Sequence, residues 1–240
     1  MANDITRIGL WSGPRNISTA LMYSFAQRAD TRVYDEPLYG YYLKNSPADE
    51  YHPAAEETME SQECNGRKVV EHMLNDNSKP VLFFKNMTHH LLDLNISFMQ
   101  NMVNVMLTRS PRDMIMSFAK VIPNPTMTDI GYTAHIKLVN QLKDLGIKPI
   151  ILDSKEVLLN PKKRLVQLCE QANIPWDENM LNWQAGARPE DGVWASHWYN
   201  NVHRSTGFGP YKENPDSFPK HLNGLLKESQ ALYDELISLT

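Results

Sequence analysis

Five short apolar segments recur along the chain, and helical patterns or polar loops separate them. Strands that are apolar along nearly their whole length are typical of a parallel sheet with helices packed on both faces. The 240 residues, 42% of them hydrophobic, are enough for one sizeable core. We therefore predict an α/β fold: a single three-layer domain over residues 1–240, with a central parallel sheet of about five strands flanked by helices. The predicted strands are 7–11, 31–34, 81–84, 103–107 and 149–152.

Apolar residues at helical spacing predict the elements that cover this sheet. Two stretches, 36–53 and 184–219, lack such spacing and are rich in tyrosine, proline or glycine. Loops of that length inside a compact domain are usually functional or disordered, and we expect the same here. The predicted helices are 18–28, 111–120, 130–145, 162–172 and 218–239.

The charge and cysteine content exclude several classes of protein. The formal net charge is −4, so the sequence predicts neither a nucleic-acid binder nor a membrane-surface binder, and any anion site must come from local cations. The two cysteines form neither a disulfide framework nor a zinc motif, and no apolar run approaches the length of a membrane span. The first residues lack the apolar core of a signal peptide. We expect a cytoplasmic protein that could assemble as a homo-oligomer.

The first predicted strand runs into a turn of small residues, 12–19, that opens a helix. Backbone N–H groups at a helix N-terminus have no intrahelical partners and lie at the positive end of the helix dipole, so they stabilise a phosphate or a sulfate. Arg15, Ser18 and Thr19 would add donors from their side chains. The alternative is an ordinary connection between a strand and a helix, with Ser18 as the N-cap.

Charged residues follow the other predicted strands where each of them ends. Because the carboxyl ends of parallel strands meet at one edge of the sheet, Lys85 and Arg109 should lie near Arg15. Three cations in one crevice predict an anionic ligand with more than one charged group. The alternative is that each cation pairs with a carboxylate at a neighbouring strand end, from among Asp35, Glu36 and Asp153.

Four motifs resemble those of one family, the sulfotransferases that use 3′-phosphoadenosine-5′-phosphosulfate (PAPS). Residues 14–19, Pro-Arg-Asn-Ile-Ser-Thr, resemble the family's 5′-phosphosulfate loop, in which Pro-Lys/Arg-Ser-Gly-Thr-Thr is usual. Residues 105–117 are similar to its 3′-phosphate segment, where a strand-end arginine is followed eight residues later by a serine. Residues 84–89 resemble its strand-end lysine, which a catalytic histidine follows closely. With Asn-Pro-Lys at 160–162, the resemblance extends from Ile8 to about Phe208.

The resemblance implies a P-loop NTPase-like sulfotransferase fold and transfer of a sulfuryl group from PAPS to a hydroxyl or amine of a small-molecule acceptor, without a metal. The product of the donor would be 3′-phosphoadenosine-5′-phosphate (PAP). The 3′-phosphate would be bound by Arg109 and Ser117 and, through a looser match, by a C-terminal loop consisting of Arg204, Ser205, Thr206 and Gly207. The 5′-phosphate would be bound by Arg15, Asn16, Ile17, Ser18 and Thr19.

The resemblance also implies catalytic roles. Arg15 and Lys85 would stabilise the charge that develops on the leaving oxygen. His89 is our choice for the base that removes the acceptor's proton, with His90 and Glu36 as alternatives. The chain departs from the family pattern in having Arg15 for the usual lysine, Ile17 for the usual glycine, and Met87 where the catalytic histidine usually falls.

Two other functions remain open from the sequence. A P-loop kinase or another NTPase would need Gly-x-x-x-x-Gly-Lys-Ser/Thr, and the loop lacks that lysine and the second glycine, although Asp153 could serve as a strand-end magnesium ligand. A catalytically inactive nucleotide-binding protein on the same fold would explain Ile17 and Met87.

Overall fold

The computed structural model describes residues 5–120 and 122–239, and it contains the predicted parallel sheet. The strand order is β2-β3-β1-β4-β5, and every neighbouring pair is parallel. The first strand therefore lies at the centre, with its loop between the ends of β3 and β4. The strands are β1 (Thr6–Ser12), β2 (Thr31–Asp35), β3 (Val81–Met87), β4 (Val103–Thr108) and β5 (Ile150–Asp153). The predicted domain limits, residues 1 and 240, lie outside the described residues.

Helices surround the sheet and connect its strands in sequence. They are α1 (Ser18–Phe25), α2 (Tyr39–Lys44), α3 (Ala55–Ser61), α4 (Gly66–Asn75), α5 (Pro111–Phe118), α6 (Met127–Ile130), α7 (Tyr132–Asp144), α8 (Ser154–Leu159), α9 (Pro161–Gln171), α10 (Ala195–Trp198), α11 (Asn200–His203) and α12 (Asn223–Ile237). Short 3₁₀ helices cover Pro47–Glu50, Thr88–Leu91, Ile96–Asn101, Glu178–Leu181 and Lys220–Leu222.

The two faces of the sheet carry separate hydrophobic cores, which confirms the three-layer arrangement. Successive residues of a strand point to opposite faces, so Leu10 packs beneath α1 and α9 while Trp11 packs on the opposite side with α4, α5, α7 and α12. Phe25 of α1 stacks on Phe83 of β3 with ring centroids 4.2 Å apart. No helix in the described part of the chain combines the length and apolar character needed to cross a membrane.

The prediction that residues 36–53 are irregular is wrong, because they form α2 and a 3₁₀ helix. Tyr39 and Leu43, four residues apart, are both buried in a third, smaller core together with Trp194 and Tyr199. A helix of only six residues is too short for its apolar spacing to stand out in the sequence. The segment 184–219 is mostly irregular as predicted, apart from the four-residue helices α10 and α11.

Candidate active site

The loop between β1 and α1 is shaped by a left-handed residue at Arg15. Arg15 has φ 54°, a conformation that usually favours glycine. Ile17, which stands where the family pattern has glycine, has φ −90°, which any residue adopts. Its half-buried side chain packs against the core beneath α1. The isoleucine is therefore compatible with this loop, and the conformational strain lies two residues earlier.

Helix α1 begins at Ser18, and the residue before it, Ile17, provides no side-chain cap. The alternative with Ser18 as the N-cap is therefore wrong. The Ile17 N–H donates to Oδ1 of Asn16 at 2.9 Å, and Asn16 Nδ2 donates to the carbonyl of Leu107 at 3.2 Å. The N–H groups of the first helical turn, starting at Ser18 and Thr19, have no intrahelical acceptor. The loop thus keeps an anion-binding end, but one of its predicted donors, the Ile17 N–H, is already used.

Arg15, Arg109 and Ser117 meet at the ends of β1 and β4. Arg15 Nε donates to Ser117 Oγ at 3.3 Å, and Arg109 Nη1 donates to the carbonyl of Arg15 at 2.5 Å. Within residues 5–120 and 122–239, neither guanidinium lies within ion-pair distance of a carboxylate. Burial lowers the pKa of Arg109, an effect that nearby Asp113 opposes. The buried hydroxyl of Thr108 beside them has no hydrogen bond. Two cations and two hydroxyls therefore lie together, with no carboxylate of the described residues in ion-pair contact with either cation.

Lys85 lies within β3 rather than after its end, and its side chain is 1% exposed. Its Nζ donates to Asp35 Oδ1 at 2.7 Å, to Glu36 Oε1 at 2.5 Å and to the Tyr199 hydroxyl at 2.6 Å. Burial alone would lower the pKa of Lys85, but the charges of Asp35 and Glu36 outweigh it and raise the pKa well above its usual value. The alternative that each strand-end cation pairs with a neighbouring carboxylate is therefore correct for Lys85. In the described residues it does not hold for Arg15 or Arg109.

Glu36 is buried and also left-handed, with φ 47°. Burial raises its pKa, and the charge of Lys85 opposes the rise. One carboxylate oxygen, Oε1, accepts from Lys85, and the other, Oε2, lies 3.8 Å from Nδ1 of His90. Glu36 therefore links the buried lysine to the histidine pair.

His89 and His90 lie in the 3₁₀ helix that follows β3. The His90 ring stacks with Tyr39, with centroids 4.8 Å apart, and with Tyr42, at 4.7 Å. His89 makes an edge contact with Tyr42 at 5.0 Å. Burial lowers the pKa of His89 to about 4 and holds that of His90 well below its usual value, so both imidazoles are neutral at neutral pH.

His135, on α7, is a site residue that the sequence analysis missed. It is 2% exposed, its Nε2 is buried without a hydrogen bond, and burial lowers its pKa to about 4. Its Cε1 lies 3.6 Å from the position that a Cβ on Gly13 would occupy, so the ring borders the start of the loop between β1 and α1. A histidine in the middle of a helical pattern gives no sequence signal of this placement.

The C-terminal loop residues 204–207 are held against the segment 181–183. Trp183 Nε1 donates to Ser205 Oγ at 3.1 Å, and the Trp183 N–H donates to the carbonyl of Thr206 at 3.1 Å. Gly207 pairs with Asn182, and a Cβ on it would lie 2.8 Å from a backbone oxygen. Arg204 is exposed.

A few residues later, the same loop contacts α5, which belongs to the segment expected to bind the 3′-phosphate. The Tyr211 hydroxyl donates to Oδ2 of buried Asp113 in α5 at 2.9 Å, and the ammonium of Lys155 lies over the Tyr211 ring, 4.9 Å from its centroid. Asp153, the candidate magnesium ligand, accepts hydrogen bonds from the Lys155 N–H at 2.7 Å and from the Tyr233 hydroxyl at 2.5 Å. Its carboxylate therefore caps α8.

Comparison with known proteins defines the class to which this arrangement belongs. Residues 6–237 match the model of the Sulfotransferase domain family, and the chain belongs to this family. The predicted resemblance to sulfotransferases is confirmed, and the fold is their P-loop-like α/β fold.

Three particular proteins show how far the similarity extends. Branched-chain-amino-acid aminotransferase-like protein 1 of Arabidopsis thaliana is 40% identical over 230 residues, which are 95% of this chain and 41% of that protein. The chain thus spans about two-fifths of that relative's length. The sulfotransferase domain from the curacin biosynthetic pathway has a TM-score of 0.57 at 14% identity and covers 97% of each chain. The domain from the Synechococcus PCC 7002 olefin synthase has the same TM-score and identity and covers 94% of each.

Proposed function

We propose that this chain transfers a sulfuryl group from PAPS to a hydroxyl or amine of a small-molecule acceptor. The observation that carries the proposal is the meeting of Arg15, Arg109 and Ser117 at the ends of β1 and β4. In the described residues, no carboxylate lies within ion-pair distance of either guanidinium. Such groups next to a helix N-terminus form a site for an anion with more than one charged group. A nucleotide with phosphates at both the 3′ and the 5′ positions of its ribose has that character.

The donor's two anionic ends have separate binding elements in this proposal. Arg15 and the first N–H groups of α1, at Ser18 and Thr19, bind the 5′-phosphosulfate. Arg109 and Ser117 bind the 3′-phosphate, and the loop 204–207 closes over it. An arginine fork binds phosphate with two parallel hydrogen bonds, which fixes the donor's orientation as well as its charge.

Catalysis then consists mainly of positioning and charge neutralisation, as in phosphoryl transfer. The acceptor oxygen or nitrogen attacks sulfur in line, and the bond from sulfur to the 5′-phosphate oxygen breaks. Arg15 stabilises the charge on the leaving oxygen. A base among His89, His90 and Glu36 removes the acceptor's proton. Lys85 could assist the leaving oxygen only by giving up one of its internal hydrogen bonds.

Ligand-induced thermal stabilisation tests the donor site. PAP should stabilise the protein more than 5′-AMP at equal concentration, since only PAP engages both elements, and magnesium should not be needed. Arg109→Ala should weaken PAP binding about 10- to 100-fold, the loss expected for a charge-assisted hydrogen bond. Exposed Arg67 provides a control: Arg67→Ala should leave the affinity unchanged. Equal stabilisation by PAP and 5′-AMP would contradict the donor site, and magnesium-dependent preference for ATP would favour a kinase.

Transfer itself is tested with sulfur-labelled PAPS and a panel of small alcohols, phenols and amines. Labelled product and PAP should form in equal amounts. PAP binding without turnover on any acceptor class would instead support a catalytically inactive nucleotide-binding protein.

A further inference from the structure

The ammonium group of Lys85 has no hydrogen left for a ligand. A protonated lysine carries three N–H donors, and those of Lys85 are used by Asp35 Oδ1, Glu36 Oε1 and the Tyr199 hydroxyl. Tyr199 is itself buried and donates to the carboxylate of Asp35 at 2.8 Å. Lys85 is therefore part of a closed internal network and cannot contact a bound donor unless a bond in this network breaks.

Glu36 is held so that its second oxygen faces His90. Its N–H donates to the carbonyl of Lys85 at 2.8 Å, and its carbonyl accepts from Gln62 Nε2 at 3.1 Å. A left-handed backbone costs a residue other than glycine about 1–2 kcal/mol, and such strain persists only where the surroundings enforce it. With Oε1 fixed on Lys85, Oε2 is left 3.8 Å from His90 Nδ1.

His90 is held by two stacked tyrosines and makes no hydrogen bond in the described residues. The rings of Tyr39 and Tyr42 both stack with it, and the residue is 1% exposed. Nδ1 is buried without a hydrogen bond, and in the part of the chain that the structure describes no group hydrogen-bonds to this imidazole. An unsatisfied buried polar atom costs about 1–3 kcal/mol, so its retention calls for a functional explanation.

We infer that Lys85 and Glu36 are positioning residues that act through His90, and that His90 takes the acceptor's proton. The inference rests on the proposed sulfuryl transfer. Without substrate, Oε2 of Glu36 lies 3.8 Å from Nδ1 of His90, and its charge favours the Nδ1–H tautomer. This contact shortens to a hydrogen bond when substrate binds, because catalytic hydrogen bonds often tighten only then. This leaves the Nε2 lone pair for the acceptor.

The transfer step balances with these groups. The acceptor oxygen forms a bond to sulfur while its proton passes to Nε2 of His90. The bond from sulfur to the 5′-phosphate oxygen breaks, and its electron pair leaves with PAP. The imidazolium that forms lies next to the carboxylate of Glu36, whose Oε2 is 3.8 Å from Nδ1.

The tautomer of His90 tests the positioning without any need for turnover. In the full chain labelled with ¹⁵N at histidine, the imidazole shifts of His90 should show the Nδ1–H tautomer. Glu36→Gln should shift the population toward Nε2–H, whereas Glu60→Gln, at an exposed glutamate, should not. An Nε2–H tautomer in the unmodified protein overturns the inference.

Kinetics test the identity of the base. His90→Gln and Glu36→Gln should lower kcat about 10²- to 10⁴-fold, with KM for PAPS changed less than about threefold. The loss for His90→Gln should exceed that for His89→Gln at least about tenfold. His72→Gln, at an exposed histidine, is the matched control. A loss below about tenfold for His90→Gln refutes its role as the base. If the unmodified protein transfers no sulfuryl group, the proposed function is wrong. The tautomer measurement still tests whether Glu36 positions His90, because it needs no turnover.

PAP affinity separates positioning by Lys85 from direct binding. The double variant Lys85→Met with Glu36→Gln removes one charge of each sign and so avoids an isolated buried carboxylate at position 36. Its PAP affinity, measured by calorimetry, should stay within about threefold of the parent. A folded double variant with affinity weakened more than about 30-fold would show that Lys85 binds the donor directly.

Discussion

Replacing Lys85 with methionine should leave two carboxylates without their cation in the protein interior. Both lysine-bound side chains, Asp35 and Glu36, are buried, with at most 9% of either side chain exposed. Removing one partner of such a buried pair typically costs about 3–5 kcal/mol, because the remaining charge is uncompensated. That is a large share of the roughly 5–15 kcal/mol by which a domain is stable.

The loss should depend on pH, and its sign follows from Glu36. Burial already raises the pKa of Glu36, and the variant removes the opposing charge of Lys85. A carboxyl whose pKa is higher in the folded than in the unfolded state makes the folded state bind more protons, so stability increases as the pH falls. In the pH range where Glu36 is protonated in the folded variant but ionised in the unfolded chain, the free energy of unfolding rises by about 1.4 kcal/mol for each pH unit of acidification. The destabilisation by Lys85→Met should therefore be smaller at about pH 5.5 than at about pH 8.

Urea unfolding followed by circular dichroism measures both the destabilisation by Lys85→Met and its change with pH. Lys137→Met, at an exposed lysine, should change stability by less than about 0.5 kcal/mol and serves as the control. Adding Glu36→Gln to Lys85→Met should recover at least about 1 kcal/mol, because it removes one uncompensated charge. A destabilisation below about 1 kcal/mol, or one that is equal at both pH values, would refute the buried ion-pair network.

Three further predictions concern the rest of the site. Arg15→Gly relieves the left-handed strain, so stability should change by less than about 1 kcal/mol, while PAP affinity, measured by calorimetry, should fall at least tenfold. Tyr211→Phe removes the hydrogen bond to Asp113 and should speed limited proteolysis within 205–219. The folded protein holds His135 with a pKa of about 4, below the value near 6.5 of an unfolded chain, so its contribution to stability is complete at neutral pH and is lost as the pH falls through that interval. His135→Gln should remove up to about 3 kcal/mol of that dependence, as urea titrations across the range would show.

The sheet was predictable because each strand is marked by residues that are adjacent in the sequence. Each strand is a short apolar run, and the helical segments between the runs are long enough for the crossovers that parallel pairing needs. The end of β3 was harder to predict: Asn86 and Met87 continue the strand by pairing with Trp11 and Ser12, a contact with residues about 75 positions away. Lys85 therefore lies inside the strand, although the apolar run ends before it.

The sequence could not show which of the three strand-end cations, Arg15, Lys85 and Arg109, has a carboxylate partner. Lys85 pairs with Asp35 because the two residues are in register on neighbouring strands. Arg15 and Arg109 instead meet each other through a backbone carbonyl. The third partner of Lys85, Tyr199, lies 114 residues away, directly after the short helix α10, so nothing local in the sequence predicts this contact.

The charges of the site divide it into two halves. This division indicates on which side the donor and the acceptor of the proposed reaction would bind. At the ends of β1 and β4, Arg15 and Arg109 stand without ion-pair carboxylates in the described residues, which favours an anionic donor. At the ends of β2 and β3, one cation serves two buried carboxylates, which disfavours an anion and favours a group that is becoming positive. The base that removes the acceptor's proton becomes positively charged as it takes that proton. In the proposed reaction, we therefore place the donor on the β1–β4 side and the acceptor beside His90.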